Sequence, residues 1–319
     1  MRRREFAVLF GAALVWPSAA MAQSGTPRIA VLALGNPDPQ IFMKEFREGL
    51  RELGYVEGQS IRLELRSAGG DANKLAPLAA ELVATKADII VGFQTPAATA
   101  AKQATKDIPI VLAAVGDPIG TGLIASLARP GGNITGVSGA TAEMGAKNLE
   151  LIREMFPSAS RVAVLANASD PFSKQLLEHI QAAARALNID IKPMMVHGGD
   201  QLDAHFEDIE KWPADAIIVQ PTLPNRRVAE LAIKHRLPAF APNAGFPAAC
   251  GLMSYGNNND ATYRQSAAFV DKILKGRRPA DLPVELPTKY WLAINLKTAK
   301  AIGVTVPALM LTRADDVIE

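Results

Sequence analysis

Thr95-Pro96-Ala97-Ala98 is the stretch whose residue types and spacing carry the most chemistry. Threonine is a good helix cap, and a proline in the first helical turn has no N–H to leave unpaired. The amides of Ala97 and Ala98 would then point out of the helix start, where the dipole favours a carboxylate. An ordinary capped helix has the same signature. Asp117-Pro118 and Asp170-Pro171 supply the opposite charge. Either aspartate could meet an ammonium, or instead close an Asp-Pro turn or cap a helix; for Asp170 the capping role fits better. Asn36, Gln94, Gln220, Thr222 and Asn243 offer neutral donors and acceptors. Phe93, Phe246 and Tyr255 could form an apolar wall or belong to the core. Ser138, where the first half of the chain ends, completes the set of binding candidates.

Catalytic constellations are missing from the sequence. Gly136-Val137-Ser138-Gly139-Ala140 departs from the nucleophile-elbow pattern at Ala140. Cys250 sits in a run of small residues, which suits packing better than an activated thiol. His179, His197, His205 and His235 show no metal-ligand spacing, so no metal is expected. No phosphate-binding glycine loop follows the first strand, and no cofactor is expected. Arg226-Arg227 begin a helix, where they could serve an anion or form a solvated face. With 34 Lys plus Arg against 32 Asp plus Glu, the balance is too even for a chain that wraps nucleic acid. Hydrophobic residues at 49% and charged residues at 21% exclude a disordered chain.

The elements that must position these residues alternate. A buried-strand run at 28–32, an alternating strand at 61–65 and further strands at 88–91 and 108–112 are separated by helical patterns from Pro39 to Gly54, from Leu75 to Val83 and from Thr95. The pattern then restarts. Arg161-Val162-Ala163-Val164-Leu165 echoes Arg28-Ile29-Ala30-Val31-Leu32, and Asp170-Pro171 echoes Asp38-Pro39 at nearly the same offset. Ala214-Asp215 with Ile217-Ile218-Val219 likewise echoes 87–91, and Pro224 introduces a helix as Pro96 does. Strands alternating with helices imply βαβ units and parallel sheets, here in two similar α/β lobes. A further helix spans 260–274, and a proline-spaced stretch leads into 290–296. The expected division places 27–138 plus 256–286 in an N-terminal lobe and 139–255 plus 287–319 in a C-terminal lobe, with several chain crossings forming a hinge. Ligands of open α/β sheets sit beyond the carboxyl ends of the strands, where the candidate residues fall.

Residues 1–22 read as an export signal. Three arginines precede an apolar run too short to span a bilayer, and Ala20-Met21-Ala22 ends it with a signal-peptidase pattern. The expected cleavage follows Ala22. It removes Arg2, Arg3, Arg4 and Glu5, which leaves a charge near zero and an address in the periplasm.

Longer motifs carry a family resemblance. They include Gly49-Leu50-Arg51-Glu52-Leu53-Gly54-Tyr55, Gly116-Asp117-Pro118, Ser126-Leu127-Ala128-Arg129-Pro130-Gly131-Gly132-Asn133-Ile134-Thr135-Gly136, Gly251-Leu252-Met253-Ser254-Tyr255-Gly256 and Asp271-Lys272-Ile273-Leu274-Lys275-Gly276. From about Arg28 to Glu319 the chain resembles the ABC-transporter substrate-binding proteins of the tryptophan/tyrosine-type uptake family. That resemblance implies a periplasmic-binding-protein type I fold with two Rossmann-like lobes that close on a small ligand. It also implies a monomer that hands its ligand to an ABC permease at the inner membrane. The expected ligand is a small organic carboxylate, an amino acid or an aromatic or branched acid. An exported solute sensor for a membrane receptor kinase would use the same fold; an exported hydrolase would need a nucleophile motif that is missing here.

Overall fold

The computed structural model describes residues 25–36, 38–198 and 201–319. The proposed export signal and its cleavage site lie outside the described residues.

Two parallel-sheet lobes form, each with helices on both faces. In the first, β1 (Arg28–Ala33), β2 (Arg62–Ser67), β3 (Ile89–Phe93), β4 (Ile110–Val115) and β5 (Ile134–Ser138) pair in the order β2-β1-β3-β4-β5. All of these pairings are parallel. Both faces of the central strands are apolar, as a sheet covered on both sides requires. Ala30 and Leu32 face α2 (Leu75–Ala84) and α3 (Gln94–Ala104). Ile29 and Val31 face α1 (Pro39–Glu52) and α8 (Asn259–Leu274). α8 comes from far along the chain, yet it lies on α1. The Glu45 carboxylate pairs with Arg264 at 2.7 Å, and the Tyr55 hydroxyl donates to Asp271 at 2.9 Å.

The second sheet has the order β12-β11-β10-β9-β8-β6-β7. Its strands are β6 (Arg161–Asn167), β7 (Asp190–Val196), β8 (Ala216–Val219), β9 (Ala239–Ala241), β10 (Met253–Asn257), β11 (Tyr290–Asn295) and β12 (Asp316–Ile318). Val162 and Val164 pack toward α4 (Thr141–Met155) and α5 (Ser173–Leu187). Ala163 and Leu165 pack toward α6 (Leu202–Lys211) and α7 (Asn225–Lys234). The short α9 (Leu296–Ile302) and α10 (Ala308–Arg313) close the edge. β11 runs antiparallel to β10 because the chain re-enters this lobe from the opposite end.

The chain passes between lobes after β5, after β10 and before β11. The crossings are tied together. Val137 bridges Glu285, and the Ser138 N–H donates to the Glu285 carbonyl at 2.9 Å. Gly256 and Asn257 pair with β11 in the second sheet, so the exit from that lobe falls after Asn257 rather than after Tyr255.

Candidate ligand-binding cleft

The carboxyl ends of both sheets face each other across a cleft. Its inner part holds two small chambers. One, of about 20 Å³, is walled by Gln94, Thr95, Ala114 and Gly116 from the first lobe and by Asp170, Phe172, Gln220 and Thr222 from the second. The other, of about 30 Å³, shares Gln94, Ala114, Thr141 and Pro221 with it and adds Asn243, Asn257, Asn259 and Tyr263. Outside these lie two larger cavities. One of about 400 Å³ contains Asn36, the Gly69–Asn73 turn, Asn167 and His197. The other, of about 440 Å³, contains Asn36, Ile41, Asn225, Asn243 and Tyr263.

Gln94 stands at the centre of the inner chambers. It is only 7% exposed, and its Oε1 accepts no hydrogen bond. Its backbone has a φ of +67°, in the left-handed region, which is strained for a residue with a side chain. The turn lets α3 start directly from β3. Gly92 permits this, since a Cβ there would lie 2.6 Å from the Ala98 Cα.

This geometry corrects the expected cap. Phe93 precedes the helix and provides no side-chain cap, so α3 starts one residue before Thr95. The Thr95 hydroxyl instead accepts the Gly116 N–H at 3.1 Å and ties α3 to the end of β4. Pro96 and Ala97 are buried in the first turn. The amides of Gln94 and Thr95 lie outside the i→i−4 ladder and Pro96 has none, whereas those of Ala97 and Ala98, the pair expected to point out of the helix start, fall within it. The sequence reading missed Thr141. It begins α4 after Ala140, which is left-handed and gives no side-chain cap. Two uncapped helix starts, those of α3 and α4, therefore border the same chambers.

The second lobe answers with a hydrogen-bonded network. Asp170 is 4% exposed. Its Oδ1 accepts the Phe172 N–H at 2.9 Å, while Oδ2 accepts Gln220 Nε2 at 2.8 Å and Thr222 Oγ1 at 2.9 Å. Gln220 Oε1 accepts from the Asn167 N–H and from Ser173 Oγ. Burial pushes the Asp170 carboxyl up to about 6, against the lowering effect of these hydrogen bonds. Asp170 thus takes the turn-closing role and also walls the inner chamber.

Asn36 and Asn243 line the outer cavities, and Asn243 Oδ1 accepts from Asn259 Nδ2 at 2.7 Å. Three expected residues sit elsewhere. Asp117 closes its own turn by accepting the Gly120 N–H at 2.8 Å and lines none of these cavities. Ser138 is a strut of the crossing, where its hydroxyl donates to the Val115 carbonyl at 3.2 Å. Tyr255 packs on the second lobe's core and stacks against Tyr290, with ring centroids 6.0 Å apart. Phe93 and Phe246 are core: Phe93 stacks on Phe42, and Phe246 packs beneath Gly251. Besides Thr141, the sequence reading missed Phe172, Asn225 and Tyr263 as cleft residues. All but Tyr263 stand at a strand-to-helix junction, which is the signal that could have found them.

Among the described residues, no helix is long and apolar enough to cross a membrane. None of their His, Cys, Asp and Glu side chains form a group of three or more able to hold a metal ion. A family model described as ABC transporter substrate binding protein matches residues 29–318. A tyrosine-binding protein of Clostridioides difficile is 29% identical over 265 residues, which span 81% of this chain and 75% of that protein. The structure of an ABC domain in complex with L-Trp from Streptococcus pneumonia is similar at a TM-score of 0.85 and 29% identity, over 92% of this chain and all of that one. A conserved domain protein from Vibrio cholerae gives 0.86 at 26% identity, with the same coverage.

Proposed function

Since the chain belongs to the ABC transporter substrate-binding protein family, we propose that it is the periplasmic receptor of an ABC importer for a small organic carboxylate, foremost an amino acid. The fold is that of the type I periplasmic binding proteins. The observation that carries the ligand reading is the unpartnered Gln94 amide oxygen, buried between two uncapped helix starts and the Asp170 carboxylate. Helix N-termini favour a carboxylate. A buried acceptor without a donor costs ~1–3 kcal/mol, and an ammonium would satisfy Gln94 Oε1 and Asp170 together. A zwitterion fits both sets of groups. The tyrosine named for one relative and the L-Trp bound by another are both zwitterions with aromatic bodies.

Calorimetry with an aromatic amino acid and its own carboxamide tests this. The amide should bind at least ~10-fold more weakly, because a hydrogen bond to a charged group contributes ~1.5–3 kcal/mol. Equal affinity would sink the carboxylate site. The export step has its own measurement. The intact mass of the protein recovered from the periplasm should correspond to a chain beginning at Gln23; a membrane-bound species retaining Met1 would refute it.

A further inference from the structure

The two inner chambers differ in charge. Since one water needs ~10–15 Å³, each has room for one small polar group. The chamber of about 20 Å³ has the Asp170 carboxylate in its wall. The chamber of about 30 Å³ has no charged side chain among the described residues that line it. Thr141 brings the uncapped start of α4 to this second chamber, where free amides and the helix dipole favour an anion. The asparagines of this chamber are engaged with their neighbours. Asn259 Nδ2 donates to Asn243 Oδ1 at 2.7 Å, and Asn257 Nδ2 donates to Thr262 Oγ1 at 3.0 Å.

Tyr263 differs from them. It reaches the chamber from α8 of the first lobe and is only 4% exposed. A buried tyrosine hydroxyl usually finds a partner. That of Tyr263 makes no hydrogen bond with any described residue, and its oxygen keeps surface open to the cavities that the residue lines. The ring stands edge-on to Phe42 and Phe93, with its centroid 5.3 and 5.5 Å from theirs. Packing therefore fixes where the hydroxyl points, and no hydrogen bond is needed to hold it. Burial, helped by the Asp260 carboxylate, keeps the hydroxyl well above the usual tyrosine range, so it retains its proton and remains a donor.

We propose that Tyr263 is a ligand-contacting residue: its hydroxyl donates to the ligand carboxylate in the uncharged chamber, while the ligand ammonium lies toward Asp170 in the other. This rests on the reading that the ligand's charged head occupies the inner chambers, and it gives that head a direction. The carboxylate is then held by neutral donors alone. It joins Tyr263 of the first lobe to the α4 start of the second, so holding it also holds the lobes together.

Tyr263→Phe removes the hydroxyl and keeps the ring. Its melting temperature should not fall, because no hydrogen bond within the protein is lost. Calorimetry with tryptophan, tryptophanamide and indole-3-propionate reads the rest. The variant should bind tryptophan about tenfold or more weakly, as the loss of a hydrogen bond to a charged group requires. Tryptophanamide should weaken by a smaller factor, since a bond to a neutral acceptor is about half as strong, so the preference for the acid over the amide narrows. Indole-3-propionate, which has no ammonium, should weaken as much as tryptophan. A variant that binds tryptophan as the wild type does overturns the proposal, yet leaves the head-group reading standing as long as the wild type prefers the acid to the amide. A loss confined to tryptophan also overturns it, because the hydroxyl would then meet the ammonium. A wild-type chain that binds the amide as well as the acid sinks the head-group reading and the proposal with it, as does one that binds none of the three.

Discussion

Burial drives the Asp170 carboxyl up to about 6, and the hydrogen bonds from Phe172, Thr222 and Gln220 offset that only in part. No charged group contributes to the shift, which leaves the site responsive to a charge that a ligand brings. The sign for the folded protein is fixed. An acid whose folded pKa is raised holds its proton in the fold at pH values where the unfolded chain has lost it. This group's contribution is then most favourable below about pH 4 and declines as pH rises toward 6, by on the order of 3 kcal/mol. Ligand binding runs the other way, because an ammonium favours the ionised carboxylate. If Asp170 must be ionised to accept it, amino-acid affinity should fall about tenfold between pH 7 and pH 5. Affinity for the matching acid without an ammonium should stay flat. Asp170→Asn should weaken the amino acid and remove its pH dependence. Calorimetry at several pH values reads this, and an amino-acid affinity constant over that range would rule out Asp170 as the partner.

At the scale of elements, the parallel strands were legible because both of their faces are apolar. Arg28–Ala33, Ile89–Phe93, Arg161–Asn167 and Ala216–Val219 all appear within a residue or two of the expected runs. α1 and α8 were legible from their apolar stripes, α1 also from Asp38-Pro39 at its start, while the Asn258 cap of α8 emerges only in the fold. The Thr95-Pro96 signal was locally sound but lost to tertiary geometry. Ala98 packs so closely on Gly92 that the helix starts through a strained Gln94, and the threonine hydroxyl is drawn to Gly116. Such an inversion leaves no trace in local propensity, because it depends on a strand distant in sequence. Asp117 shows the converse. Its Asp-Pro spacing suited a turn as well as an ammonium partner, and in the fold the carboxylate closes the turn. Gln94 was legible as a candidate from its place after a strand, but its lack of a hydrogen-bond partner is encoded by no pattern of residue types.

At the scale of the molecule, the lobes touch outside the chambers as well as around them. Gln175 Nε2 on α5 donates to the Gly120 carbonyl of the first lobe at 2.8 Å. The Phe172 ring lies over Gly116 at the end of β4, and a Cβ at Gly116 would fall 2.7 Å from that ring. The backbone of Gly116 is not left-handed, and the three atoms nearest to an added Cβ all belong to Phe172 of the other lobe. The clash exists only when the lobes are closed. Gly116→Val should therefore act on the equilibrium between open and closed forms while sparing the fold of either lobe. Overpacking of this kind costs ~1–3 kcal/mol, which lowers ligand affinity by about 5- to 150-fold. Small-angle scattering at a saturating amino-acid concentration should show the wild-type radius of gyration contracting and the variant contracting less. The melting temperature of the ligand-free variant should stay near that of the wild type. Full contraction together with unchanged affinity would mean that the two lobes do not meet at Gly116 and Phe172 when the ligand is held.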